Sequence, residues 1–313
     1  MMNNLELFPE VKLLLNTSDE ERIKYISEDK WIDYPIADSI LEQLNQLRQY
    51  EQNKTRVTSI LLVGSSNNGK TALLNRFLEL NPNYDLFATN PEILTQEFFE
   101  KYHACGIPVL YVVAPPEPNE SRLYSNILNL INAPFKEKDP VAKKQYLVEY
   151  YFKTLHIEVL IIDEIHNILS GSVAKQKQIM NAIKNLSNNL KIPIVLSGTK
   201  DSLRAISTDI QLSSRFRPVY LTKWEMNEDY VSLLATIAKT LPLKKESKFL
   251  NPDTALEILN ISNGYIGDII GLFKTAAIYA IQNKTERITI NEIKGCGYIS
   301  MAQVHRNNLL QKV

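Results

Sequence analysis

The residues best suited to chemistry lie between Gly64 and Thr71, where the sequence matches G-x-x-x-x-G-K-[ST] at every fixed position. The apolar run Ser59–Val63 precedes this segment and a helical stretch follows it, as the pattern requires. Glycines let backbone N–H groups surround phosphate oxygens, and the helix N-terminus adds partial positive charge. We expect Lys70 to reach the β- and γ-phosphates of ATP and the Thr71 hydroxyl to bind Mg²⁺. The predicted nucleotide-binding residues are Gly64, Ser65, Ser66, Asn67, Asn68, Gly69, Lys70 and Thr71.

Two adjacent carboxylates follow a second apolar run, Val159–Ile162. Asp163 suits the coordination shell of Mg²⁺, and Glu164 is placed to polarise the water that attacks ATP. The alternative is a strand that merely ends in solvated acids. Together with the phosphate-binding segment, the pair predicts a hydrolytic site.

Further along the chain, two polar features fit the same chemistry. Thr199, or Ser197 two residues earlier, follows another apolar run and is a candidate to lie between the γ-phosphate and the water; a simple turn is the alternative. In ATPases of the AAA+ type, an arginine just before the last strand reaches the γ-phosphate held by a neighbouring subunit. Arg215 is the candidate for this arginine finger and Arg217 its substitute, with a surface salt bridge or a DNA phosphate contact as the alternative.

Short apolar runs alternate with amphipathic stretches, which predicts parallel strands joined by crossover helices. The near-continuous apolar character of these runs indicates strands that are buried on both faces. An extra strand separates the phosphate-binding strand from the Asp-Glu strand, as in the additional-strand ATPases. The predicted strands are Ser59–Val63, Pro108–Val113, Glu158–Ile162, Pro193–Ser197 and Pro218–Leu221.

Strand signals stop after Trp224, and helical ones replace them. We therefore predict an α/β protein, with an AAA+ P-loop core on a five-stranded parallel sheet and a small C-terminal all-α lid domain. The predicted domains are an N-terminal helical extension over 1–50, the ATPase core over 51–224, the lid over 225–300 and a tail over 301–313.

Bulk composition is that of a globular protein, with 44% hydrophobic and 22% charged residues, which excludes wholesale disorder. No apolar run reaches the length of a membrane span, and the first residues lack a signal-peptide layout. Two distant cysteines, Cys105 and Cys296, are too few for a disulfide framework. These features predict a reducing, cytoplasmic compartment.

The net charge is zero, but the charges are unevenly spread. Nine basic residues lie between Ser170 and Lys223, against only Asp201 and Asp209. This asymmetry is compatible with a phosphate-backbone partner and equally with a solvated face.

One feature common in AAA+ proteins is missing from the lid. Where many of them carry a Gly-x-Arg element, this sequence has Gly264-Tyr-Ile-Gly267-Asp268. Either the lid contributes no cation, or Lys274 replaces the arginine. His166, two residues beyond Glu164, is interpreted as a structural or coupling residue.

A set of specific motifs extends from about residue 30 to residue 300. These motifs are Trp31-Ile-Asp-Tyr34-Pro35, Leu62-Val-Gly64 with Asn67-Asn68-Gly69-Lys70, Pro116-Glu-Pro118 with Arg122 and Tyr124, Ala133-Pro134, Ile162-Asp163-Glu164-Ile-His166-Asn167, Gly198-Thr199-Lys-Asp201, Gln211-Leu with Arg215-Phe, Trp224-Glu225 and Gly264-Tyr-Ile-Gly267-Asp268. In these motifs the sequence resembles the TniB family of transposition ATPases, which are related to the TnsC regulators. The absent lid arginine is characteristic of that family.

The resemblance implies an ATP-dependent protein that oligomerises on double-stranded DNA as a filament or ring. It also implies two protein partners, a TniQ-type target-selection protein and a DDE transposase, in the bacterial cytoplasm. Tyr34 and Pro35 are expected to flank the adenine, unless they serve ordinary helix packing. The candidate DNA contacts, each of which has a solvated surface residue as its alternative, are Arg122, Lys136, Lys138, Lys143, Lys144, Lys175 and Lys177.

Two rival functions remain open. A helicase loader or replication initiator shares the same core, although the Tyr34-Pro35 entry and the Gly-x-Ile-Gly-Asp lid do not favour it. A non-hydrolysing scaffold, in which ATP only joins subunits, is disfavoured by Glu164 and Arg215.

Overall fold

The computed structural model describes residues 6–86, 105–207, 213–247, 249–301 and 303–304. Gln211 and Leu212, part of the motif before Arg215, lie outside the described residues. Contacts divide the chain into two compact units. One, here called the helical unit, contains residues up to Asp38, the short segment Asn67–Gly69 and residues from Thr222 onward. The other, here called the sheet unit, contains Ser39–Ser66 and Lys70–Leu221.

The sheet unit is built on a five-stranded parallel sheet, as the sequence predicts. The strands are β1 Ser59–Gly64, β2 Tyr84–Asp85, β3 Cys105–Gly106, β4 Val109–Val113, β5 Val159–Asp163, β6 Ile194–Gly198 and β7 Phe216–Leu221. The order in the parallel sheet is β4-β5-β6-β1-β7, so the phosphate-binding strand lies between the fourth and fifth strands of the prediction. A two-stranded antiparallel ribbon, β2-β3, is an addition that the sequence did not predict.

The helices follow the apolar periodicity of the sequence. A 3-10 helix, Ile165–Ser170, follows β5 directly. The α-helices are α1 Pro9–Leu14, α2 Asp19–Ser27, α3 Pro35–Tyr50, α4 Lys70–Glu79, α5 Glu120–Leu130, α6 Val141–Thr154, α7 Val173–Leu190, α8 Lys200–Ser207, α9 Glu228–Lys239, α10 Pro252–Ser262, α11 Ile266–Gln282 and α12 Ile290–Gly295.

The core of the sheet unit forms because its central strands are apolar on both faces. Every residue of β1, β5 and β6 is buried, as expected for parallel strands covered by helices on each side. Helix α7 contributes the predicted apolar stripe, in which Ile179, Ile183 and Leu186 are almost fully buried.

Strand register places the chemistry at one edge of this sheet. Val63 pairs with Gly198 and Leu62 with Ser197, while Ile162 pairs with Leu196. The carboxyl ends of β1, β5 and β6 therefore lie side by side, and the loops that follow them share one edge.

The helical unit is held partly by a buried ion pair. Arg22 on α2 is fully buried and donates hydrogen bonds of 2.7 Å to both carboxylate oxygens of Glu286. Ser18 and Glu21 form a reciprocal capping box that starts α2. Across the described ranges, no single helix is long and apolar enough to cross a membrane. Helices α10 and α11, which are bent by 115° relative to each other, have sufficient length and apolar composition only when they are taken together.

Candidate nucleotide site

Lys70 is the central cation of the phosphate-binding loop and the first residue of α4. The preceding loop turns through positive φ at Asn67 (62°) and Gly69 (79°). Lys70 Nζ donates hydrogen bonds to the carbonyl oxygens of Gly64 (2.8 Å) and Ser65 (3.0 Å). Burial lowers the pKa of Lys70, and the nearby carboxylates of Glu164 and Asp163 oppose that effect. A buried ammonium of this kind gains from a further anion such as a phosphate.

Asp163 gathers three hydrogen-bond donors although its side chain is almost fully buried. Its Oδ2 accepts from Thr71 Oγ1 at 3.0 Å and from the Tyr111 hydroxyl at 2.8 Å. Its Oδ1 accepts from the backbone N–H of Glu164 at 2.8 Å. The structure thus brings together Thr71 and Asp163, the two residues predicted to bind Mg²⁺.

The donor set fits a magnesium ion bound together with phosphates. Mg²⁺ prefers oxygen ligands and is held in nucleotide sites by one or two carboxylates or hydroxyls plus the phosphates. Thr71 and Asp163 supply a hydroxyl and a carboxylate. Elsewhere in the described part of the chain, no three His, Cys, Asp or Glu side chains gather as a metal cage.

Tyr111 was missed at the sequence level, although its position in β4 gives a usable signal. Val113 pairs with Asp163 in the β4–β5 register, and Tyr111 is two residues earlier on the same face. Burial raises the pKa of Tyr111, and its hydrogen bond with Asp163 raises it further. The phenol therefore remains a donor at neutral pH.

Glu164 occupies a left-handed backbone conformation, with φ 56° and ψ 36°. This conformation is uncommon for a residue with a side chain and is enriched at functional sites. The Glu164 carboxylate lies 3.1 Å from His166 Nε2, so His166 touches the predicted catalytic group. His166 Nδ1 is buried and has no hydrogen-bond partner among the described residues.

The polar residues at the end of β6 differ in their surroundings. Ser197 is fully buried, and its hydroxyl has no partner among the described residues. Thr199 is partly exposed at the start of α8, and its carbonyl accepts from the Ser202 backbone N–H at 3.0 Å. Between them, Gly198 has no space for a side chain, because a Cβ would lie 2.4 Å from Ser202 Oγ. The choice between Thr199 and Ser197 stays a prediction.

Arg215 lies at the opposite edge of the sheet from the phosphate-binding loop. The Ser59 backbone N–H donates to the Arg215 carbonyl at 3.0 Å, so Arg215 is level with the amino end of β1. Six strand residues separate that end from the loop, roughly 20 Å. Arg215 therefore does not meet Lys70 within one chain, and its predicted role requires a second copy.

Tyr34 belongs to an aromatic group in the helical unit. Its ring stacks on Trp31, with centroids 5.9 Å apart, and meets Trp224 edge-on at 5.4 Å. Burial raises the pKa of Tyr34 to about 12, with a smaller contribution from the Asp38 carboxylate. Pro35 is exposed at the first position of α3. The expected adenine contact of Tyr34 and Pro35 stays a prediction, with aromatic packing established for Tyr34.

The paired asparagines of the loop bond within the helical unit. The Gly267 backbone N–H donates to the Asn67 carbonyl at 3.1 Å, and Asn68 Nδ2 donates to the Thr222 carbonyl at 2.9 Å. Asp268, where other AAA+ lids carry arginine, is buried and accepts from the Tyr298 hydroxyl at 2.8 Å. Its role here is structural.

Lys274, the candidate replacement for the missing lid arginine, pairs with the Asp29 carboxylate at 2.9 Å. Lys274 is thus engaged by the N-terminal segment of its own unit. Whether it also serves the nucleotide stays a prediction.

The predicted DNA contacts differ sharply in exposure. Lys144 is 1% exposed, and its Nζ donates to Ser121 Oγ, Ser125 Oγ and the Glu137 carbonyl within 3.0 Å. All three of its donors are used inside the protein, so Lys144 is a structural residue. The prediction that it contacts DNA is wrong. The remaining candidates are exposed: Arg122, Lys136, Lys138, Lys143, Lys175 and Lys177.

Comparisons with solved structures identify the fold. The Aeropyrum pernix ORC1 protein, solved in complex with DNA, is similar with a TM-score of 0.58 and 14% identity over 91% of this chain and 70% of that chain. The A. pernix ORC2 protein, in its ADPNP-ADP complexes, gives 0.58 and 14% over 87% and 70%. A Walker-type ATPase of Pyrococcus abyssi gives 0.52 and 13% over 88% and 73%. The fold is that of an AAA+ P-loop ATPase.

A match to a family model places the chain more narrowly than its fold does. The profile described as "Bacterial TniB protein" matches residues 22–226, which is most of the chain. The protein belongs to the TniB family, and the family predicted from the sequence is confirmed. No curated protein matches the sequence.

Proposed function

We propose that this protein is an ATP-dependent, DNA-binding and oligomerising regulator of DNA transposition. The observation that carries the proposal is the cluster of Lys70, Thr71 and Asp163 in a chain of the TniB family. Lys70 supplies the cation, while Thr71 and Asp163 supply the oxygen ligands that ATP with Mg²⁺ needs. The loop from Gly64 to Gly69 completes the phosphate site.

Hydrolysis would divide among the chain's own residues. Lys70 binds phosphate oxygens, Glu164 orients the attacking water, and Thr199 senses the γ-phosphate. Mg²⁺, held by Thr71 and Asp163, would neutralise charge on the transferring phosphoryl group. Because Arg215 lies at the far edge of the sheet, it would act on ATP bound by a second copy, so hydrolysis would be slow until copies assemble.

The proposed partners follow from the family and from surface charge. Exposed cations near α5 and α6, with Lys175 and Lys177 on α7, supply charge for the phosphates of double-stranded DNA. One solved structure of the same fold is a protein in complex with DNA. Self-assembly as a filament or ring would place this chain between a TniQ-type target-selection protein and a DDE transposase in the bacterial cytoplasm.

A replication initiator or helicase loader is the second candidate. The solved structures of similar fold include the ORC1 and ORC2 proteins, but at 14% identity they establish the fold alone. The TniB match over residues 22–226 favours transposition.

The test is nucleotide-dependent binding to duplex DNA. Lys70→Ala should abolish ATP binding and with it DNA binding, because it removes the cation that the loop supplies to the phosphates. Lys294→Ala is the matched control, since Lys294 is an exposed lysine that pairs with Glu257. Retained nucleotide-dependent DNA binding by Lys70→Ala, measured by fluorescence anisotropy, would overturn the site assignment.

Salt dependence tests the DNA contact separately. If the exposed cations bind phosphates, log affinity should fall linearly with log salt, with a slope of about −0.9 per neutralised phosphate. Affinity should vary little with DNA sequence, because phosphates carry no sequence information. A strong preference for one short motif, insensitive to salt, would contradict the proposal.

A further inference from the structure

Arg56 and Arg215 lie together at the amino edge of the sheet. In the β1–β7 register Ser59 pairs with Phe216, so the residues before the two strands are neighbours. Arg56 Nη2 donates a 3.1 Å hydrogen bond to the carbonyl of Ser214, the residue before Arg215. The position of the segment that carries Arg215 is therefore coupled to Arg56, a residue that the sequence motifs do not mark.

The nearest carboxylate in the segment before β1, that of Glu51, pairs with Lys54 at 2.7 Å. Arg215 Nη1 bonds the Asn188 side-chain oxygen at 2.5 Å, which is a neutral partner. Within the described residues, neither Arg56 nor Arg215 has a carboxylate partner. Lys191, an exposed lysine whose carbonyl accepts from the Asn53 N–H at 2.9 Å, adds a third cation nearby. Clustered like charges repel, so an arrangement of this kind is stabilised by a bound anion.

Guanidinium groups select the type of anion. Each carries five N–H donors in a planar fork that matches phosphate oxygens, and the neutral bonds to Ser214 and Asn188 leave most of those donors available. A compact, multiply charged polyphosphate can accept from more of these donors than a single carboxylate does. The chain's own phosphate loop is at the opposite end of β1, roughly 20 Å away.

We propose that Arg56 acts with Arg215 as a two-guanidinium site for the triphosphate end of ATP held by a second copy of this chain. The inference rests on the proposed function and extends it, because it defines an assembly surface and adds a residue to it. Arg56 contributes charge to the neighbouring site and keeps the Ser214 carbonyl, and hence Arg215, in place. Copies joined in this way are related head to tail, which is the arrangement of rings and filaments.

Mixed assemblies give a direct test. Arg56→Ala has an intact phosphate loop but lacks the guanidinium that it would offer to its neighbour. Glu164→Gln binds ATP without hydrolysing it, yet it still presents Arg56. Each variant alone should hydrolyse ATP at least about tenfold more slowly than wild type under assembly conditions. An equal mixture should recover up to about a quarter of the wild-type rate, since half the subunits can hydrolyse and half of those have an intact neighbour.

Three controls make the outcomes distinct. The double variant Arg56→Ala/Glu164→Gln should give no recovery when mixed with Arg56→Ala. Arg204→Ala, which removes an exposed arginine that pairs with Asp201, should match wild type. Arg56→Lys keeps the charge but loses the fork, and should fall between wild type and Arg56→Ala. Unchanged thermal unfolding of Arg56→Ala, with unchanged ATP binding by the isolated subunit, should accompany these results.

The possible failures can be told apart. If wild type shows no assembly-dependent hydrolysis, the proposed function fails. If wild type is active and Arg56→Ala matches Arg204→Ala, only the role of Arg56 fails. If Arg56→Ala hydrolyses normally but binds duplex DNA more weakly, Arg56 contacts DNA and the inference is overturned. If the mixture shows no recovery while Arg56→Ala alone is slow, the residue acts within its own subunit and the inference is equally overturned.

Discussion

The Tyr111 hydroxyl and Thr71 Oγ1 both donate to one oxygen of Asp163, at 2.8 Å and 3.0 Å. That oxygen belongs to a carboxylate that is 1% exposed, so protein donors replace the water that would otherwise surround it. Tyr111 comes from β4 and Thr71 from α4, so two separate elements fix the position of the carboxylate. Tyr111 is thus a positioning residue for the proposed magnesium ligand.

Tyr111→Phe removes this donor while keeping the ring. With Asp163 less well oriented, the Mg²⁺ concentration for half-maximal ATP hydrolysis should rise about fivefold, the equivalent of one hydrogen bond of about 1 kcal/mol. ATP binding without Mg²⁺ should be unchanged. Tyr146→Phe is the control, because Tyr146 is 65% exposed on α6. A magnesium requirement equal to or below that of wild type would show that Tyr111 only fills space.

Gly267→Ala tests the contact between the lid helix and the loop asparagine. A Cβ at Gly267 would lie 1.8 Å from Asn67 Oδ1, so the Asn67 side chain or the helix start must shift. We expect ATP affinity to fall about tenfold or more, because Asn67 belongs to the phosphate-binding loop and its carbonyl accepts from Gly267 N–H. Isothermal titration calorimetry with ATP measures the change.

The matched substitution is Gly295→Ala, also at a helix residue. There the nearest atom to an added Cβ is the Tyr279 hydroxyl at 3.3 Å, at the end of a side chain that can adjust. Gly295→Ala should bind ATP like wild type. Equal affinities for the two variants would mean that the Asn67 contact does not shape the loop.

Arg22 and Glu286 provide a prediction about pH. The hydrogen bonds from Arg22 lower the pKa of Glu286 below its ordinary value of 4.5, more than burial raises it. A carboxylate with a lowered pKa in the folded state adds stability above the ordinary pKa, and this stability is lost as pH falls through the folded value. Wild type should therefore lose free energy of unfolding below about pH 5.

Arg22→Met should remove that pH-dependent part. Because it leaves Glu286 buried without its cation, we expect a loss of about 3–5 kcal/mol in the free energy of unfolding at pH 7. Urea unfolding at pH 7 and at pH 4 measures both effects. Adding Glu286→Gln to Arg22→Met should recover part of the loss at pH 7, since no unpaired charge remains. If Arg22→Met shows the same slope with pH as wild type, the pair does not govern acid sensitivity.

Features whose backbone geometry depends on neighbouring residues in the chain were predicted correctly from the sequence. The apolar runs predicted all five strands of the parallel sheet, because strands buried on both faces need continuous apolar residues. The G-x-x-x-x-G-K-[ST] segment likewise located Lys70 at the start of α4, and the Asp163 carboxylate meets Thr71 as expected.

Residues whose role depends on pairing between distant segments were harder to predict. Tyr111 and Arg56 belong to no motif, and only the strand register shows that they adjoin Asp163 and Ser214. The prediction that Lys144 contacts DNA was wrong because the sequence does not show where its hydrogen-bond acceptors lie. A lysine in a basic stretch resembles a surface cation, but the hydroxyls that accept from Lys144 come from α5, about 20 positions earlier in the chain.

His166→Ala is a companion test of the predicted catalytic carboxylate, because the His166 imidazole lies 3.1 Å from the Glu164 carboxylate. If His166 restrains that carboxylate, removing the imidazole should raise the rate of ATP hydrolysis in the absence of DNA.

Glu164→Gln separates a working ATPase from a nucleotide-dependent scaffold. The change keeps the side chain's size and leaves Thr71 and Asp163 in place, so ATP should bind normally while the rate of hydrolysis falls by about 10² or more. Assemblies on duplex DNA should then persist far longer than those of wild type, which single-filament imaging after ATP washout can measure. Wild-type hydrolysis by Glu164→Gln would refute the catalytic role of Glu164 and favour the scaffold.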